Sequence, residues 1–130
     1  MRSSNIISCI AYSVFLMIAN PVLADMSATR TMADITMSLK HFPSDEDKQE
    51  LTAIINSDDS SEYEIAVATA ISKFQHSVTA ADKEKLNSII ADTSTPHGLR
   101  TVASALLRIT HSPTQSDIEK LQEIASDSVD

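Results

Sequence analysis

The sequence predicts an all-α protein made of three stacked two-helix repeats, with six short antiparallel helices. The chain of 130 residues contains one Gly and four Pro, and this composition disfavours sheets with many turns. Three histidines, His41, His76 and His111, recur at intervals of 35 residues. The apolar residues that precede them follow the three- and four-residue spacing of an amphipathic helix. A repeating unit of two helices accounts for all three observations.

The first 24 residues have the layout of a secretory signal peptide. Arg2 supplies the positive charge, an apolar run covers residues 6–19, and Ala24 offers a small residue for cleavage. The sequence therefore predicts a signal peptide over 1–24, a helical repeat domain over 25–130, and a periplasmic or secreted location. An uncleaved membrane anchor is the alternative, although the apolar run is shorter than the roughly 20 residues that a bilayer span needs.

Three repeats fill the predicted mature domain, at approximately 25–59, 60–94 and 95–130. Between residues 76–90 and 111–125, eight of fifteen positions are identical, whereas about one identity is expected from ordinary residue frequencies. The repeated positions include Asp47, Asp82 and Asp117, then Leu51, Leu86 and Leu121, then Ile54, Ile89 and Ile124. A repeat this regular predicts that matching residues occupy matching places in successive units.

The first helix of each unit carries an apolar stripe, formed in the middle unit by Val67, Ala70, Ile71 and Phe74. In the first unit Thr36 replaces one apolar residue, which suits a terminal helix with one face open to water. The predicted spans of these helices are 26–40, 61–75 and 96–110, with Asp25, Ser60 and Thr95 as their N-caps.

The second helix of each unit is marked by a hydroxyl residue with an Asp three positions later, an approximate capping box. These N-cap residues are Ser44, Thr79 and Thr114. The predicted spans of these helices are 44–56, 79–91 and 114–126.

Residues 99–108, with the sequence LRTVASALLR, resemble the second helix of a HEAT-type repeat, in which an Arg near the start precedes Ala and Leu at helical spacing. Arg30 gives the first unit the same start, whereas Ile65 stands there in the middle unit. The 35-residue unit is shorter than is usual for that family. Because a single two-helix unit is too small to bury its own apolar stripe, the units are expected to stack as an α-solenoid or a compact right-handed superhelix, with a compact six-helix bundle as the alternative. The resemblance implies a protein-binding surface.

No motif in the sequence organises a catalytic or metal site, so we expect a protein that is not an enzyme and that holds no cofactor. Cys9, the single cysteine, leaves with the predicted signal peptide, which excludes thiolate chemistry. We expect His41, His76 and His111 to lie in separate layers about 8 to 10 Å apart, too far to share one ion. Each is expected to satisfy the last carbonyls of a helix instead.

The formal net charge of −8 predicts repulsion from nucleic acid and from anionic membranes. We expect a protein or peptide partner, with a basic partner as one candidate, no membrane contact after cleavage, and an oligomeric state that the sequence leaves open. Methionines provide adaptable contacts, aromatic rings provide anchors, and one histidine has no histidine at the matching positions of the other units. The residues predicted to contact the partner are Met26, Met37, Phe42, Tyr63 and His97.

These features predict a small exported interaction module. A second hypothesis is a small-ligand carrier or chaperone-like protein that shelters apolar material between its helices. It predicts a cavity among Ile54, Ile71, Ile89 and Leu106. The aliphatic stripes and the predicted export motivate it.

Overall fold

Six α-helices form residues 21–126, the part of the chain that the computed structural model describes, with side chains described from residue 27 onward. The helices are α1 (Pro21–Ser38), α2 (Asp45–Ile55), α3 (Glu62–Ser72), α4 (Ala80–Ala91), α5 (His97–Arg108) and α6 (Gln115–Ser126). The prediction of three two-helix units is confirmed. Residues 1–20 of the predicted signal peptide lie outside the described part, and its last four residues fall within α1. No helix in the described part is both long enough and apolar enough to span a bilayer.

The second helix of each unit begins at the predicted cap. In α2 the Asp47 N–H donates to Ser44 Oγ at 3.1 Å, and the Ser44 N–H donates to Asp47 Oδ2 at 2.9 Å. Thr79 caps α4, and Thr114 Oγ1 accepts from the N–H of Asp117 at 3.2 Å. The bonds between Ser44 and Asp47 are reciprocal, and in all three helices the cap satisfies an N–H group that a helix end leaves unpaired.

The first helix of each unit begins elsewhere than the sequence predicts. Helix α1 already includes Asp25, so Asp25 is not its cap. Ser61 rather than Ser60 caps α3 through a capping box. Pro96 rather than Thr95 occupies the N-cap of α5, which has no side-chain capping bond. The starts of α1, α3 and α5 were therefore predicted less accurately than those of α2, α4 and α6.

The helices α1, α3 and α5 form an inner layer, because each packs against the other two. Each outer helix packs on the inner helix of the following unit, α2 on α3 and α4 on α5, while α6 returns to pack on α1. Small residues allow the inner helices to approach closely, and those residues are Ala33, Ala68 and Ala103, all fully buried. The three units thus surround a pseudo-threefold axis, with the last unit against the first.

Contact between the first and third units is close. A Cβ atom at Gly98 in α5 would lie 3.2 Å from the Cγ2 atom of Thr29 in α1. Thr36 in α1 is fully buried and donates its hydroxyl to the Met32 carbonyl at 2.6 Å. The expectation that Thr36 faces water is therefore wrong, because α5 and α6 cover the helix that an open stack would leave exposed.

The core repeats as the sequence predicts. Leu51, Leu86 and Leu121 are each fully buried, and burying such a side chain contributes about 1.5 to 3 kcal/mol. Phe74, on the predicted apolar stripe of the middle unit, is also buried. Matching side chains do occupy matching places in the three units.

Candidate functional site

The structure brings together three histidines that the sequence analysis expects to be apart. His41, His76 and His111, called here the histidine cluster, lie in the turns that follow α1, α3 and α5. Their ring centroids are 4.9 to 5.3 Å apart, with each pair of rings packed edge to face. The Nδ1 atoms of His41 and His76 are 3.1 Å apart.

The expected separation of about 8 to 10 Å is wrong for a physical reason. That distance describes the axes of neighbouring helices, whereas the histidines lie in turns three or four residues beyond the helix ends. Because α1, α3 and α5 pack mutually around one axis, their three turns converge on it. The rings meet one another there, contrary to the expectation that each ring would satisfy a helix carbonyl.

Backbone hydrogen bonds hold the cluster together. The His41 N–H donates to the His111 carbonyl at 2.9 Å, and the His76 N–H donates to the His41 carbonyl at 2.7 Å. Three such backbone hydrogen bonds would join the three turns to one another in a closed circle, and two of them are present in the described part of the chain. The backbone of the cluster is therefore fixed by contacts between all three units rather than by any one turn.

The three histidines share an unusual backbone conformation. Their φ angles are 59° at His41, 64° at His76 and 118° at His111. Holding a residue other than glycine at positive φ costs on the order of 1 to 3 kcal/mol of folding free energy, and glycine avoids that cost. The chain nevertheless has histidine at all three positions, a residue type that is found at positive φ more often than most others.

An exposed aromatic ring lies beside the cluster. Phe42 follows His41 and is 63% exposed, which agrees with its prediction as an accessible anchor. It lines a shallow groove of about 260 Å³ together with His41, His76 and Lys48. Whether Phe42 contacts a partner stays a prediction.

A second groove, called here the basic groove, runs along α5 and α6 and has a volume of about 520 Å³. It is lined by Ile90, His97, Arg100, Thr101, Ser104, Arg108, Lys120, Glu123 and Ile124. Three of the ten Lys and Arg residues of the chain lie here, against one of its eighteen Asp and Glu residues. The side chains that line the groove therefore carry more positive than negative charge, on a chain that is negative overall.

Two of the cations in the basic groove have carboxylate neighbours. Arg108 is half exposed and pairs with the buried carboxylate of Asp117. Burial raises the pKa of Asp117, but bonds from Arg108 and Thr114 outweigh that effect and hold it below its ordinary value of 3.8. Arg100 lies near Asp92, and its Nε atom is buried without a hydrogen-bond partner. Lys120 is exposed.

The first unit has a groove in the equivalent place, with a volume of about 270 Å³. Ser27, Thr31 and Ile54 of that groove correspond, 70 residues earlier, to His97, Thr101 and Ile124 of the basic groove. Its further lining residues are Ala28, Ala53, Ser57, Asp59 and Ser60, which include no cation. The two grooves therefore lie at equivalent places in the first and third units, and their lining residues differ in charge.

The predicted partner-binding residues do not form one surface. His97 lines the basic groove, and Phe42 lies by the histidine cluster. Met37 is half-buried against the core, and the side chain of Met26 lies outside the described part.

Tyr63 is half-buried, and its hydroxyl donates to Asp92 Oδ2 at 2.7 Å. Bonds to Asp92 from Ser94 and Tyr63 lower the pKa of Asp92 to about 2, while the bond to Asp92 raises the pKa of Tyr63. Tyr63 thus has an intramolecular partner.

The carrier hypothesis predicts a cavity among four residues, whose positions the structure gives. Ile54, Ile71, Ile89 and Leu106 are all buried members of the hydrophobic core. Of the grooves described above, only the groove of the first unit touches any of them, at Ile54.

No family model, curated protein or solved structure among those compared with the chain matches it.

Proposed function

We propose that this chain is a small exported protein or peptide interaction module whose basic groove binds an acidic segment of its partner. The observation that carries the proposal is the concentration of Arg100, Arg108 and Lys120 in one groove of a chain with a net charge of −8. Opposite charge at a binding surface steers association and selects among partners.

The apolar residues of the groove support a partner with aliphatic or aromatic side chains. Ile90 and Ile124 are half-buried members of the groove lining. A segment that places an apolar side chain against these residues and a carboxylate near Lys120 or Arg100 would use both kinds of contact. Such a combination of an apolar centre and a charged margin is typical of peptide-binding surfaces.

The start of α5 adds to the positive character of the groove. His97 is the first residue of this helix, whose first turn contains no acidic residue and whose N-cap makes no side-chain capping bond. The N-terminal end of a helix carries partial positive charge and attracts anions. His97, predicted from the sequence as a partner contact, lies where it would meet a carboxylate group.

The resemblance of residues 99–108 to a HEAT-type helix supports an interaction role, because this segment supplies one wall of the groove. A basic partner, which the net charge favours, remains a proposal for the acidic remainder of the surface.

Export remains a proposal from the sequence. Intact-mass analysis of the protein recovered from its native host should give a chain that begins at Asp25, and a chain that retains residues 1–24 would contradict it.

Peptide binding with a matched pair of variants tests the groove. Lys120→Glu places a negative charge in the groove, whereas Lys85→Glu makes the same change at the matching position of the middle unit, outside the groove. Glu50 occupies the matching position of the first unit, so the fold accommodates Glu there. The probes are fluorescent peptides of one apolar composition that carry either Glu or Lys.

We expect the Glu-containing peptide to bind in a fluorescence-anisotropy titration and the Lys-containing peptide to bind at least tenfold more weakly. Lys120→Glu should weaken binding of the Glu-containing peptide by about tenfold, since one close charge reversal is worth about 1.4 kcal/mol or more. Lys85→Glu should change it less than twofold. Preference for the Lys-containing peptide, or equal losses in the two variants, would contradict the proposal.

A further inference from the structure

We propose that the histidine cluster binds one transition-metal ion, of the class that includes Zn²⁺, Co²⁺, Ni²⁺ and Cu²⁺. The proposal is independent of the basic groove, because none of the three histidines lines that groove. It rests on the distances between the imidazole nitrogens, the chemistry of those nitrogens and the way the fold holds them.

The distances fit a shared ion. One nitrogen from each of His41, His76 and His111 can be chosen so that the three lie within 4.8 Å of one another. Three imidazole nitrogens around a tetrahedral zinc ion, each about 2.0 to 2.1 Å from the metal, are about 3.3 Å apart. The Nδ1 atoms of His41 and His76 are already 3.1 Å apart.

The third ring can complete the site by side-chain rotation. All three histidines are exposed, so each ring has solvent beside it into which it can turn about its side-chain bonds. The nitrogen of His111 needs to approach the other two by at most about 1.5 Å, since it lies within 4.8 Å of them and a shared zinc ion needs about 3.3 Å. The backbone bonds that join His41 to His111 and to His76 keep the three Cα positions in place during this rotation.

The donor set defines the class of ion. Neutral imidazole suits zinc, copper, nickel and cobalt, whereas calcium and magnesium prefer oxygen ligands. The cluster offers three nitrogens, and the exposure of its rings leaves a further coordination position open to water or to a ligand. Since each imidazole must be unprotonated to bind a metal, acid should release the ion.

The fold makes the arrangement more than a chance meeting of surface side chains. Each histidine occupies the same position of its unit, after the inner helix, and all three have positive φ. Glycine would adopt this conformation without strain, and the chain has its single glycine elsewhere, at Gly98. An unusual backbone conformation retained with a metal-binding side chain at all three positions fits a site built for the rings.

Substitution by glycine gives a clean test, because it removes the ring and suits the positive φ of each position. The single variant is His76→Gly, and the triple variant combines His41→Gly, His76→Gly and His111→Gly. The matched control is His97→Ala, which removes an exposed histidine outside the cluster. Circular dichroism establishes that each variant is folded before any titration.

Calorimetric titration of the full chain with Zn²⁺ and with Co²⁺ measures stoichiometry and affinity, and Mg²⁺ serves as the negative control ion. We expect one Zn²⁺ per chain, and a visible absorption band of the Co²⁺ form typical of tetrahedral coordination. His76→Gly should lower the affinity for Zn²⁺ by more than tenfold, since removing even an outer hydrogen-bond partner of a metal ligand typically costs about ten- to hundredfold. The triple variant should not bind, and His97→Ala should bind as the original chain does.

Thermal unfolding supplies a readout that does not depend on heat of binding. A ligand that binds only the folded state raises the unfolding temperature, so Zn²⁺ should raise that of the original chain and leave that of the triple variant unchanged. The proposal is overturned if the original chain binds no Zn²⁺ or Co²⁺, or if the triple variant binds them with the affinity of the original chain.

Discussion

The grooves of the first and third units occupy the same place in the repeat and carry different chemistry. Ile54 and Ile124 lie at matching positions, and so do Thr31 and Thr101. At another matching pair the first unit has Glu50 and the third has Lys120. The comparison shows that the repeat determines the backbone and the apolar lining, while exposed positions differ from unit to unit. Binding specificity is therefore to be sought where the units differ.

The histidine cluster differs from the grooves, because all three units have the same exposed residue at this position. Agreement at buried positions such as Leu51 and Leu121 follows from packing. Burial in the core gives no such reason for agreement at His41 and His111, which are exposed. Exposed residues that repeat across all units and meet at the axis point to a role for the side chains themselves.

The largest effect is expected in the core, where the first and third units should respond alike. Leu51→Ala and Leu121→Ala each remove a fully buried side chain, and each should lower the free energy of unfolding by about 2 to 5 kcal/mol. Denaturant unfolding followed by circular dichroism measures both values. If one change costs less than about 0.5 kcal/mol, the level of an ordinary surface change, the two units are not equivalent.

A smaller effect should distinguish the two units at the start of their second helices. Asp117 accepts from Thr114 and from Arg108. Asp47 accepts from the N–H of Ser44, the cap of α2, and the first unit has Ser38 at the position that matches Arg108. Asp117→Ala should cost about 1.5 to 3 kcal/mol and Asp47→Ala about 0.5 to 1.5 kcal/mol, because Asp117 is buried and also pairs with Arg108, whereas the bond of Asp47 is exposed to water. Equal costs in denaturant unfolding would show that the Arg108 pair adds nothing.

The contribution of Asp117 should also depend on pH. Its folded-state pKa lies below 3.8, so folding favours the ionised form. The stabilisation is complete above the unfolded-state pKa and is lost as the pH falls through the folded-state pKa. The difference in unfolding free energy between the original chain and Asp117→Ala should therefore be larger at about pH 6 than at about pH 2. A difference that is the same at both pH values would contradict this assignment.

The smallest effect concerns Tyr63, which stands in the middle unit where the other units have Ala28 and Gly98. Tyr63→Phe removes the hydroxyl that bonds to Asp92, so the pKa of Asp92 should rise from about 2 toward its ordinary value. It should remain lowered, since the first cause of the shift is the bond from Ser94. A carboxyl NMR titration measures it, and an unchanged pKa would exclude the bond.

Much of the fold follows from the sequence because the responsible interactions are local. The caps at Ser44, Thr79 and Thr114 involve residues three positions apart, and the buried leucines follow helical spacing. The start of α5 was less predictable, because Thr95 is buried and its hydroxyl makes no hydrogen bond. Its conformation therefore depends on packing that spacing does not reveal.

The candidate sites depend on how distant units meet, which spacing within one unit does not determine. The 35-residue interval identified His41, His76 and His111 as equivalent, yet an open stack would separate the first from the third. Their convergence comes from the packing of α1 against α5 and α6. His97 was identified because the other units lack a histidine there, but the cations around it come partly from α6, a different helix.

The central claim is that the three units close around one axis, so that the first meets the third. Proton NMR on selectively labelled histidine tests it directly through the nuclear Overhauser contact between the rings of His41 and His111, whose centroids are 5.3 Å apart. The account predicts this contact in addition to the one between His41 and His76. A contact between His41 and His76 alone, with none between His41 and His111, would show an open stack and contradict the closed arrangement.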